Sequence, residues 1–157
     1  DIVSRHSLRS ARPMMTLALR LIAQPGQPLS LQALAKGLSL PSVAHTGRMV
    51  EYLQDAWLML AVPRSSASFK HRVTAPPKYY AVDTGLAGAN SPNATPDLGR
   101  KLENAVLLAV RRRGAAAGLP GGVRGGRELL VITLDQEDAL REEGLSIRVI
   151  PAWKWLD

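Results

Sequence analysis

Cysteine is absent from the 157 residues, which excludes a disulfide framework, a thiolate nucleophile and zinc held by sulfur. It also points to the cytoplasm as the location. Histidine is scarce. His6, His45 and His71 lie in segments with neither a GxSxG elbow nor metal-ligand spacing, so no catalytic triad and no metal site are expected. No apolar run approaches the ~20 residues of a membrane span. The first thirty residues mix Asp1, Arg5, His6, Arg9 and Arg12 among the apolar ones and lack the order of a signal peptide. A membrane partner is therefore not expected. A phosphate-binding loop is missing too. Glycines 114, 118, 121, 122, 125 and 126 are not followed by the Lys-Ser/Thr that would hold nucleotide phosphates. ATP hydrolysis and a small-molecule substrate are not expected of this chain.

What is present describes a folded, basic protein. Hydrophobic residues make up 46% and charged residues 21%, values ordinary for globular domains, and the length suits two small units. Twenty Lys and Arg against 13 Asp and Glu leave a net charge of +7. That excess favours polyanionic partners, although a GC-rich genome supplies arginines with no such purpose. A start at Asp1 suggests a fragment of something longer.

Helical spacing of Met14, Leu17, Ala18 and Leu21 predicts a helix over 13–24, broken by the PGQP of residues 25–28. Ser30 is placed to cap a short helix with Leu31, Leu34, Ala35 and Leu38 on one face. Ser42 is placed to cap a third, in which Val43, Thr46, Val50, Leu53 and Trp57 repeat at three and four residues. LMLAV (58–62) and KYYAV (78–82) read as buried strands, joined by the polar and basic PRSSASFKHRVTAPP. Three helices followed by two strands with a basic connection predict a winged helix-turn-helix over residues 1–89. Asp83-Thr84-Gly85 is expected to end the second strand and start a helical turn.

ANSPNATPD (89–97) reads as a linker, followed by a second unit over 90–157. Thr95 and Pro96 are expected to cap and begin a helix over 97–113, burying Leu98, Leu102, Ala105, Val106 and Ala109. Arg111, Arg112 and Arg113 sit at its carboxy-terminal end, where the helix dipole favours cations. A Gly-rich linker over 114–126 follows. The remainder reads as strands at 129–133 and 146–150, an acidic turn or short helix over 135–143, and a last turn whose Trp153 and Trp155 are expected to complete a core.

DIVSRH, EYLQDAWLMLAVPRSSAS, KYYAVDTGL, LGRKLENAVLLAVRRRG and IRVIPAWKWLD, in this order, resemble the carboxy-terminal region of bacterial and archaeal AAA+ ATPases that carry a domain of unknown function. The resemblance implies an α/β (α+β) chain, with a winged helix-turn-helix followed by a truncated PD-(D/E)XK nuclease-like remnant. Residues 1–12 would be the tail of a missing ATPase lid. ATP and Mg would belong to that missing amino-terminal module, which becomes a partner, and no cofactor is expected in this chain. His45-Thr46 departs from the Thr-Val usual at the third helix. Between Arg113 and Arg127 the acidic strands of the family are replaced by glycine-rich sequence. Glu103 alone matches an acidic position of true nucleases. One carboxylate cannot hold the metal such chemistry needs, and the acidic DQEDALREE reads as a solvated face, so no nuclease activity is expected.

The function expected is non-catalytic, a platform for double-stranded DNA. The third helix would enter the major groove with His45 and Arg48, while Arg64, Lys70, His71 and Arg72 hold the backbone. Glu51 and Asp55 lie late on the same helix, away from its reading end. Two alternatives remain, a module that docks the ATPase or a partner protein through the apolar face around Trp153 and Trp155, and a stand-alone winged-helix transcription regulator.

Overall fold

Serine caps place the first helices. A single turn, α1 (Ile2–Arg5), leads to α2 (Ala11–Ile22), α3 (Leu31–Gly37) and α4 (Val43–Asp55). Ser10, Ser30 and Ser42 stand before the last three in extended backbone, and their hydroxyls accept the N–H groups of Arg12, Ala33 and His45. Each such cap contributes about 1 kcal/mol. In this computed structural model, residues 2–6, 10–64, 68–90, 97–116, 128–142 and 145–156 are described, without the side chains of 71–73, 114–116, 128–129, 140–142 and 145–146. The described residues form a mixed α and β protein in two compact units, Asp1–Pro96 and Asp97–Asp157.

Helices α3 and α4 end identically, and neither uses glycine to do so. Beyond α3, Ser39 N–H donates to Lys36 O and Leu40 N–H to Ala35 O. Beyond α4, Trp57 N–H donates to Gln54 O and Leu58 N–H to Leu53 O. This double bond pattern satisfies the last carbonyls of a helix and requires a left-handed residue. Ser39 (φ 50°) and Trp57 (φ 54°) supply it. The helix therefore stops at Asp55, and Trp57, expected on the buried stripe, is 70% exposed. Val43 at the other end is exposed as well, so Thr46, Met49, Val50 and Leu53 are the residues α4 buries.

The core of the first unit takes Met14, Leu17, Leu21 and Ile22 from α2, Leu34 from α3, and Met49, Val50 and Leu53 from α4. Strands β1 (Met59–Val62) and β2 (Lys78–Ala81) pair antiparallel from Met59↔Ala81 to Val62↔Lys78 and add Met59, Tyr79 and Ala81 to that core. Between them lies a short helix, α5 (Phe69–Thr74), where a polar connection was expected. The PGQP break forms more than a break. Gly26 N–H donates to Tyr79 O at 2.8 Å and Leu29 N–H to Pro77 O at 3.1 Å, around an antiparallel bridge of Pro28 with Lys78. Gly26 sits at φ 76°, a conformation glycine adopts without steric cost. After β2, Asp83 caps α6 (Thr84–Ala89) by accepting from Gly85 and Leu86 N–H. His6, following α1, stacks on Tyr52 of α4 with ring centroids 3.7 Å apart.

In the second unit α7 runs over Leu98–Ala116. Thr95 and Pro96 lie outside the described residues. The described cap is Asp97, which accepts Arg100 N–H at 3.1 Å and pairs with the Arg100 guanidinium at 2.6 Å. Asn104 and Ala109 are buried, whereas Leu98 is exposed, contrary to its expected place on the inner side. Gly114–Ala116 belong to α7, and the rest of the glycine-rich stretch lies outside the described residues. Strands β3 (Glu128–Thr133), β4 (Asp138–Glu142) and β5 (Leu145–Pro151) form a sheet of order β3-β5-β4, with β3 parallel and β4 antiparallel to β5. The expected acidic turn or helix over 135–143 is thus largely a strand. Ala, Leu, Arg and Glu favour helix in isolation, but pairing from Asp138↔Val149 to Glu142↔Leu145 outweighs so weak a preference. A last helix, α8 (Ala152–Leu156), follows β5.

Candidate functional site

The outward face of α4 is set by its contact with α3. Gly47 faces Leu31 of α3 closely enough that an added Cβ would lie 3.4 Å from Leu31 Cδ1, an ordinary contact distance. Thr46 is buried and donates its hydroxyl to Ser42 O at 2.9 Å. With that side fixed, Ala44, Arg48, Glu51 and Asp55 are exposed, and His45 is half-buried. Residues spaced by three and four share one face. The exposed stripe therefore carries its cation, Arg48, in the first half of the helix and its two carboxylates, Glu51 and Asp55, in the second.

The connection between β1 and β2 holds the other expected residues. Arg64 and Lys70 are exposed, Lys70 lying on α5. His71 and Arg72 belong to the backbone of α5, and their side chains lie outside the described residues. The six residues expected to meet DNA thus fall on α4, on α5 and, for Arg64, in the loop after β1, all in one unit. Phe69 escaped the sequence reading. It is the chain's only phenylalanine, begins α5, and is 73% exposed beside Lys70. Its signal was an aromatic inside a segment otherwise polar and basic.

In the second unit Glu103 is half-buried on α7, next to the buried Asn104. A cleft of about 670 Å³ is lined by Arg113, Glu137, Asp138, Arg148, Lys154 and Trp155, among others. Lys154 is paired with Glu137, and Arg113 is committed to Trp155. Its Nη2 donates to the Trp155 carbonyl at 2.6 Å, and its guanidinium lies 4.3 Å from the indole centroid. Trp153 is 63% exposed, so the two tryptophans do not jointly complete a core as expected. Among the described residues no group of three His, Asp or Glu side chains is arranged to hold a metal ion.

Among the described residues, Tyr79 and Asp97 titrate away from their ordinary values. Burial raises the Tyr79 phenol. The Asp97 carboxyl is held low, first by the Arg100 backbone N–H and then by the Arg100 side chain. Both are explained by the fold, in a β2 core residue and a helix cap. No described helix is long and apolar enough to cross a membrane.

Comparison with known proteins adds one relationship. The family described as Domain of unknown function (DUF8612) matches residues 1–97. That range spans α1 to α6 and ends at the Asp97 cap. No curated protein and no solved structure matches the chain.

Proposed function

The chain belongs to the DUF8612 family, and on that premise we propose that its first unit is a winged helix-turn-helix serving as a platform for double-stranded DNA. The carrying observation is the division of charge on α4. Arg48 is exposed in its first half, while Glu51 and Asp55 lie at least three residues further on. A helix presenting its first turns to a major groove sets its cation against phosphates and keeps its carboxylates back. The pairing of residues 26–29 with β2, the β1–β2 pair and the basic connection between the strands support the wing. The net charge of +7 suits a polyanion.

The second unit is read as a shortened nuclease-like remnant without chemistry, supported by its order of helix, three strands and helix. Its parent is read as a AAA+-type ATPase whose missing module would hold ATP and Mg. An in-frame Walker motif upstream of Asp1 would support that parentage, and a complete reading frame without one would favour a stand-alone transcription regulator.

The test is fluorescence anisotropy of a labelled duplex across a salt series, comparing the chain with the triple variant Arg48→Ala, Lys70→Ala, Arg72→Ala. Affinity should fall steeply with salt, and the variant's log–log slope should be shallower by about 0.9 for each phosphate contact removed. No binding at low salt, or equal binding by the variant, would overturn the platform. The second reading, protein docking, has its own observation in Met15 and Leu19, four residues apart on α2 and both exposed.

A further inference from the structure

A helix ends in partial negative charge, so cations suit its last turn and carboxylates oppose it. Helices α2 and α3 carry Arg20 and Lys36 there, whereas α4 has no basic residue in its last turn. It closes on Asp55, with Glu51 one turn earlier on the same exposed face. Two positions on, Trp57 stands in left-handed backbone at φ 54° with 70% of its surface exposed. The sequence holds 20 Lys and Arg. Among the described residues, however, neither carboxylate has an ion pair, and the Trp57 ring has no cation or aromatic against it. Trp155 shows the contrast, its ring being taken by Arg113 at 4.3 Å.

An exposed indole with two carboxylates at the same helix end is the chemistry that holds a guanidinium. The flat cation stacks on the ring while its N–H fork donates to carboxylate oxygens, and a lysine ammonium lacks that flat face. Tryptophan and arginine are also the side chains enriched where protein interfaces concentrate their binding energy. We propose that Glu51, Asp55 and Trp57, at the end of α4, dock an arginine side chain from a basic segment of a partner protein. Like charge repels a polyanion from this end, so the site stands apart from the platform reading, which uses the first half of the helix.

The experiment is a nuclear magnetic resonance titration of the isotope-labelled chain with a short acetylated arginine–glycine peptide at low salt. The same peptide with citrulline in place of arginine is the uncharged isostere. The Trp57 indole N–H and the amides of residues 51–58 should shift together and saturate with the arginine peptide, and the citrulline peptide should bind more weakly. Trp57→Ala should lose roughly two- to fivefold in affinity, the scale of an exposed cation–π contact, and Trp57→Tyr should keep part of it. Glu51→Gln combined with Asp55→Asn should weaken binding and flatten its dependence on salt. Equal binding of the citrulline peptide, shifts that leave residues 51–58 untouched, or an unchanged affinity in Trp57→Ala would each overturn the site. Trp57→Ala should bind a paired duplex as the wild type does, and a loss of duplex binding there would assign the ring to DNA instead. Failure of the wild type to bind duplex would overturn the platform and leave this site standing. The ring lies outside the buried core, so the Trp57 variants should keep the dispersed spectrum of the folded chain.

Discussion

Arg113 holds Trp155 from two directions, its guanidinium lying 4.3 Å from the indole centroid while Nη2 bonds the Trp155 carbonyl at 2.6 Å. The contact joins the last turn of α7 to α8 across 42 positions of sequence. An exposed cation–π contact contributes about 0.5–1 kcal/mol and a hydrogen bond to a charged group about 1.5–3. Arg113→Ala should therefore destabilise the second unit by roughly 1–3 kcal/mol, read as a lower urea midpoint. Arg113→Lys should recover part of this, because an ammonium lacks the flat stacking face. An unchanged midpoint in Arg113→Ala would remove the contact from any account of stability.

Trp57 occupies left-handed backbone although it is bulky and exposed. That conformation costs a non-glycine residue roughly 1–2 kcal/mol, part of which glycine's greater freedom in the unfolded chain offsets. Trp57→Gly should raise stability by about 0.5–1 kcal/mol in thermal unfolding, and Ser39→Gly should act in the same direction. A fall in stability on Trp57→Gly would show that the indole makes contacts worth more than the strain.

Asp97 has a carboxyl held below its ordinary value of 3.8 by Arg100. A depressed folded value means stability present above the unfolded pKa and lost as pH falls through the folded one. Acid should therefore loosen the start of α7, visible as lower amide protection factors there below about pH 4. Asp97→Asn keeps a capping oxygen but cannot titrate, so its protection factors should not change over that window.

Tyr79 shows the opposite sign. Burial raises its phenol above 10.0, so the stability it contributes is complete below pH 10 and is lost as pH rises through the folded value. The difference between wild type and Tyr79→Phe in ultraviolet titration should be a late ionisation above pH 10. A Tyr79 step at the ordinary value would mean that β2 opens more readily than its burial implies.

The local signals that could be read from sequence are those a few adjacent residues determine. Ser30, Ser42 and Asp83 announce their helices because a hydroxyl or carboxyl two or three residues ahead of an N–H is a local arrangement. The ends of α3 and α4 were less legible, since the usual glycine is replaced by Ser39 and Trp57, and only the following leucines, drawn toward the core, force the turn. β4 was misread because DALRE has helical preferences and becomes a strand only through distant pairing with β5. At the candidate site, Arg48, Arg64 and Lys70 are expected from their charge and their place on the third helix and the strand connection, and all three are exposed. Phe69 was missed because a lone aromatic suggests burial until its exposure is known.

The short backbone pairing of residues 26–29 with β2 bears on how the first unit comes apart. Gly26 and Leu29 donate to Tyr79 and Pro77, about fifty positions away along the chain, so the strand pair is fastened to the turn between its own first helices. Peeling the strands away must break these bonds and uncover Tyr79, which is buried in a core that also holds residues of α2 and α4. Hairpin and helices are thereby tied into a single cooperative block. The amide of Gly26, in a stretch that punctuates the sequence as a mere break, should exchange with solvent only when the whole block opens.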